Sequence, residues 1–316
     1  MKNIILIIFV LLLNFFLACS EKNQWDSIEK NEKYRKNIES GNFVELSGGF
    51  TYFELENQKN LDSMPLIVFV HGFSVPSYIW DNTFVESVNR GYPSLRYDVF
   101  GRGHSSNPPV HYTSEFLSNQ LSELLDTLQI ENKINLIGLS FGGVIISEFA
   151  YSNIDNLNHL IYVDPSGFWD KKLSPLASIE INETEINEFI KTDFPTRAKD
   201  QLNDFHDPNK FQYWSNKYKP LLNIKGFARA LMSTKRNFKS MEIQNKFIGS
   251  SDINVHHIWG KFDKVIDKSQ YDFYRKKLMP NASYFLVDNS GHLPNVETPN
   301  KFNQILFDTI LEAPLP

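Results

Sequence analysis

The chain reads as an α/β protein: a mostly parallel sheet flanked by helices, with a block of helices inserted late. Three observations predict this. Short apolar runs without polar alternation recur at 66–70, 136–137, 160–163, 255–259 and 284–287; such runs are strands covered on both faces. Helical patterns lie between them. Residues 166–240 then break the rhythm, with helical pattern and no buried strand over a length that ordinary connections do not reach.

The first eighteen residues stand outside the fold. Lys2 gives a positive start, the stretch from Ile4 to Leu17 is apolar apart from Asn14, and Ala18 precedes Cys19. That is too short for a bilayer span, which needs about 20 residues, but it suits the apolar core of a signal peptide. Phe16 stands where signal peptidase requires a small residue. With Cys19 as first mature residue, the segment resembles the lipobox of bacterial lipoproteins, although Leu17 and Phe16 depart from its usual residues. The expectation is a signal peptide over 1–18, a lipid on Cys19, and a polar tether over 19–41 carrying the domain off a membrane in the cell envelope. A secreted protein or an uncleaved anchor is the alternative. Cys19 is the only cysteine, so an intramolecular disulfide, a cysteine nucleophile and a thiolate metal site are excluded.

The mature elements follow in order. Alternation across 43–56 with Ser47-Gly48-Gly49 predicts an opening β-hairpin. The strand at 66–70 ends in His71-Gly72-Phe73, and the next in Asp98-Val99-Phe100-Gly101-Arg102-Gly103-His104-Ser105. Phe116, Leu117, Leu121, Leu124, Leu125 and Leu128 form one helical stripe. The strand containing Leu136 and Ile137 runs into Gly138-Leu139-Ser140-Phe141-Gly142 and at once into a helix-forming stretch. A hydroxyl thus sits at the apex of a strand–turn–helix, where side chains on the flanking glycines would clash. Asp164 and Pro165 end the strand at 160–163. After the helical block, Gly260-Lys261-Phe262-Asp263 and Ser290-Gly291-His292 follow the last two strands. Thr298 is expected to cap a final helix with Pro299 at its first position, Phe302, Ile305, Leu306 and Ile310 facing inward.

These motifs, in this order, resemble the α/β-hydrolase superfamily over about residues 42–312. The resemblance implies a core of 42–165 and 241–316 with a helical lid of 166–240. It also implies a Ser140, Asp263, His292 triad in the superfamily's chain order. Acyl-transfer chemistry accounts for the roles. A serine hydroxyl is a weak nucleophile until a base takes its proton, which His292 would do. Asp263 would hold the imidazole in the useful tautomer. The backbone N–H groups of Phe141, at the helix start, and of Phe73, by resemblance, would stabilise the oxyanion. Asp164 is the rival acid, with bonds to lid-hinge amides as its simplest role. His71 and Arg102 read as loop-ordering residues. His256 and His257 lie in a strand and point to opposite faces, a poor metal pair.

The resulting expectation is a serine hydrolase of carboxylic esters, esterase- or lipase-like, needing no cofactor and no metal. A carbon–carbon bond hydrolase, a proline iminopeptidase or a non-catalytic binding relative are the alternatives. The iminopeptidase would need acidic lid residues, and Glu180, Glu183, Glu185 and Glu188 have helix-surface spacing. Packing is the simpler role for the lid aromatics Phe168, Trp169, Phe205, Phe211, Tyr213, Trp214 and Tyr218. The 316 residues, 41% hydrophobic and 22% charged, suit one large domain with an insertion or two modest ones. A net charge of −5 without a clustered basic face offers nucleic acid no footprint. The partner expected is a small ester or acyl substrate.

Overall fold

A computed structural model describes residues 25–177 and 179–311. The expected signal peptide and Cys19 lie outside the described residues. Among those described, no helix is long and apolar enough to cross a membrane.

Among the described residues eight strands form one sheet: β1 (Asn42–Leu46), β2 (Gly49–Glu56), β3 (Ile67–Val70), β4 (Ser94–Tyr97), β5 (Ile134–Leu139), β6 (Leu157–Val163), β7 (Asn254–Gly260) and β8 (Ser283–Val287). Their spatial order is β1-β2-β4-β3-β5-β6-β7-β8. The β1–β2 hairpin is antiparallel, as is β2 on β4, and every other pairing is parallel. The absence of alternation in the apolar runs has its cause in the layers. Val68 and Val70 enter the core on one face of the sheet, Ile67 and Phe69 the core on the other. Every residue of β3 and β5 is buried.

The expected stripe lies on the helix Ser114–Thr127, where Leu117, Leu121, Leu124 and Leu125 are buried and Thr113 accepts a hydrogen bond from the Phe116 N–H. Burying each such leucine contributes about 1.5–3 kcal/mol. At the other end of the chain Phe302, Ile305, Leu306 and Ile310 are buried as expected. Thr298 does not cap that helix with its side chain. Its hydroxyl donates instead to the Pro294 carbonyl oxygen (3.3 Å), which closes the preceding turn Pro294–Glu297.

Between β6 and β7 the longer helices are Glu183–Asp200 and Phe227–Asn237. The first opens with a capping box of Asn182 and Glu185. The seven aromatics of this region divide: Phe168, Phe205, Trp214 and Tyr218 are buried, whereas Tyr213 is exposed.

Within the expected tether, Asp26, Ser27, Ile28, Lys30 and Tyr34 are bonded to the body. The N–H groups of Asp26 and Ser27 donate to the carbonyls of Leu222 (3.0 Å) and Asn223 (2.8 Å). Lys30 Nζ donates to the carbonyl of Ser105 and to Asn107 Oδ1 (2.7 Å). The Tyr34 hydroxyl meets His104 Nδ1 at 2.8 Å. Polar composition suggested a solvated segment; the partners are loop carbonyls far away in sequence, which composition does not reveal.

Candidate active site

β5 delivers Ser140 into the left-handed region, with φ of 53°. An L-residue is strained there and is held by its surroundings. The Ser140 N–H donates to the Val163 carbonyl (2.9 Å), and the Ser140 carbonyl accepts from Gly143 and Ser166 (2.9 Å each). The pentad glycines permit the turn by close approach. A Cβ at Gly142 would stand 2.6 Å from the Val70 carbonyl oxygen, and one at Gly138 would stand 2.7 Å from that of Gly142. The helix Gly142–Asn153 then starts at the apex, directly after the serine and Phe141.

β7 and β8 are neighbours, and the loops after them bring Asp263 to His292, with Nδ1 to Oδ2 at 2.9 Å. The other Asp263 oxygen accepts from the N–H groups of Val265 (2.7 Å) and Ile266 (3.3 Å). Burial would raise the Asp263 pKa, but His292 and these donors outweigh it and hold it below the ordinary carboxylate value. Burial likewise opposes an imidazolium at His292, yet the carboxylates of Asp263, Asp204 and Glu297 prevail and its pKa is raised. The His292 N–H donates to the Asp204 carbonyl (2.8 Å), which anchors the loop to the inserted helices.

Ser140 and His292 line one cavity of about 170 Å³, together with Gly72, Phe73, Arg197, Gln201 and Asp204. A larger cavity of about 610 Å³ adjoins it, since Phe73 and Arg197 line both. Its apolar wall is Phe73, Phe189, Leu231, Met232 and Phe238. None of the seven insertion aromatics singled out from the sequence lines either cavity. Phe73 and Phe141 meet edge to face with ring centroids 6.2 Å apart. The N–H groups of both donate to no carbonyl in the loops and turns described.

The loop residues expected to have an ordering role are placed accordingly. His71 Nε2 accepts from the Val99 N–H (2.9 Å), which puts its proton on Nδ1 toward the Gly72 carbonyl (3.0 Å). Burial lowers its pKa to about 4, against the pull of Asp98, so it is neutral. Arg102 donates from Nε to the Phe73 carbonyl (2.7 Å) and from Nη2 to Thr234 Oγ1 (2.9 Å). It thereby ties the Phe73 loop to the inserted helices. His256 and His257 diverge, the first meeting His159 (3.0 Å) and the second the Tyr271 hydroxyl (2.8 Å).

Asp164 differs from expectation. Its carboxyl group accepts from the Gly260 N–H, at 2.9 Å to Oδ1 and 3.2 Å to Oδ2, at the end of β7, not from amides of the insertion. The reason is register: Val163 pairs with Ile258, so the residue after β6 points at the neighbouring strand's exit. Asp204 was not foreseen. It lines the Ser140 cavity, and burial raises its pKa to about 6 although His292 opposes the shift. No motif surrounds it; only the fold of the insertion brings it there. Glu180, Glu183 and Glu188 are exposed, and Glu185 serves the capping box.

Known proteins bear on this geometry. The profile of a family described as alpha/beta hydrolase fold matches residues 65–247. Lipase 1 of Psychrobacter immobilis is 27% identical over 304 residues, covering 92% of this chain and 90% of that protein. Lipase 3 of Moraxella sp. (strain TA144) is 25% identical over 289 residues, covering 87% and 85%. The solved structure of a thermophilic esterase from Thermogutta terrifontis superposes with a TM-score of 0.69 at 19% identity, covering 87% of this chain and 99% of that one. With the family profile spanning β3 through the inserted helices, and the sheet order seen above, the chain belongs to the α/β-hydrolase fold family.

Proposed function

We propose that the chain hydrolyses carboxylic esters through an acyl-enzyme on Ser140. His292 takes the hydroxyl proton as Ser140 Oγ attacks the ester carbonyl, and Asp263 orients and stabilises the imidazolium. The N–H groups of Phe73 and Phe141 hold the oxyanion. Collapse expels the alcohol, which receives the proton from His292. Water then repeats the sequence and frees the acid. The observation that carries this reading is the 2.9 Å contact of His292 with Asp263 beside a serine held at positive φ in the same cavity. The lipase and esterase relatives agree with it.

The adjoining apolar cavity is the acyl site in this reading, and the inserted helices are its lid. Burying a methylene is worth about 0.8 kcal/mol, so kcat/KM for p-nitrophenyl esters should rise from acetate to octanoate by up to about fourfold per added methylene. A flat profile would remove the acyl chain from that cavity.

Cys19 carries a lipid anchor in the same proposal, holding the protein at the cell envelope. Its support is the sole cysteine after a short apolar stretch. Cys19→Ser should leave the precursor unprocessed or shift the protein out of the membrane fraction. A wild-type protein that is already soluble, with its mature N-terminus elsewhere, would refute the anchor.

A further inference from the structure

Behind the His292–Asp263 pair lies a second carboxyl group. The Asp164 side chain is wholly buried at a backbone φ of 40°. Oxygen atoms of Asp164 and Asp263 and a nitrogen of His292 all lie within 4.8 Å of one another. Two buried carboxylates cannot both stay charged at such a distance, so the pair holds one proton. The donors decide which residue keeps it. Asp263 is served by three N–H groups: His292 Nδ1 and the amides of Val265 and Ile266. Asp164 has one, the Gly260 amide shared between its two oxygens. Asp263 therefore carries the charge. Burial first, and then the charge on Asp263, push the Asp164 pKa well above the carboxylate range, against the Gly260 amide.

We infer that Asp164 is a neutral positioning residue whose carboxyl O–H donates to the Asp263 carboxylate and holds that carboxylate on His292 Nδ1. The inference rests on His292 being the base for Ser140. Its position explains why an acid stands there: the group must accept from the Gly260 N–H and donate to Asp263 at once. A protonated carboxyl does both. An asparagine also does both, with Oδ1 toward Gly260 and Nδ2–H toward Asp263. A valine of similar size does neither.

The test is the rate at which a fluorophosphonate labels Ser140 in the full chain, read by mass spectrometry of the labelled peptide. Kinetics on a p-nitrophenyl ester run in parallel. Asp164→Asn should stay within about tenfold of wild type, whereas Asp164→Val should slow labelling and kcat by about 10- to 100-fold with KM little changed. Valine also strands the Gly260 amide and, being β-branched, is strained at a φ of 40° where asparagine is not, so a double-mutant cycle separates positioning from folding. In an Asp263→Ala background the valine substitution should add no further loss, because its effect passes through Asp263. A loss of equal size in both backgrounds, or equal rates for the asparagine and valine variants, would overturn the inference. Failure of wild type to label at Ser140 would instead overturn the catalytic reading on which it rests, and the inference with it.

Discussion

Ser140→Ala is expected to reduce kcat by about 10⁴-fold or more while leaving KM and thermal stability close to wild type. The size follows from what is removed. Without the hydroxyl there is no acyl-enzyme, and the remaining rate comes from water attacking a carbonyl that the N–H groups of Phe73 and Phe141 still polarise. Stability should hold because alanine and serine bear the φ of 53° equally, both having a Cβ. The backbone bonds to Val163, Gly143 and Ser166 also use no side-chain atom. Initial rates on a p-nitrophenyl ester and a thermal melt check both halves. A variant with more than a tenth of the wild-type kcat would place the nucleophile elsewhere.

Asp263→Asn should cost about 10⁴-fold in kcat with the fold retained. The surrounding donors dictate the outcome. One oxygen of Asp263 faces the amides of Val265 and Ile266, so the asparagine must keep its carbonyl there. Its NH₂ then faces His292 Nδ1 and donates to it. The imidazole is forced to carry its proton on Nε2, on the side of Ser140, where a base needs a lone pair. Asp164→Asn, in contrast, preserves donor and acceptor in their places, and its loss should stay within about tenfold, far below that of a wrong tautomer. Parallel kinetics on the two variants rank them, and the reverse ranking would make Asp164 the orienting acid.

Legibility in the sequence followed locality. The elbow at Ser140 was readable because strand, turn and helix are contiguous and two glycines mark the close approach to β3 and to the following turn. The pairing of Asp263 with His292 was readable because each follows one of two successive strands, and successive parallel strands are usually neighbours. β4 offers less: Ser94-Leu95-Arg96-Tyr97 is short, and Arg96 reaches Glu54 (2.8 Å) and Asp81 (2.6 Å), which no apolar run announces. Asp204, Gln201 and Arg197 join the cavity through the path of the inserted helices, which depends on packing between distant aromatics. Lys30 looks like one more charge in a polar stretch. Its burial against the loop carbonyls, which lowers its pKa to about 7 by desolvation, depends on contacts more than 70 residues away in sequence.

The site at which a fluorophosphonate labels the intact protein, located by peptide mass spectrometry, decides whether Ser140 is the nucleophile. Stoichiometric modification of Ser140 alone is expected, slowed strongly in a His292→Ala variant because the base is gone. Labelling at any other residue, or undiminished labelling of Ser140 without His292, would contradict it.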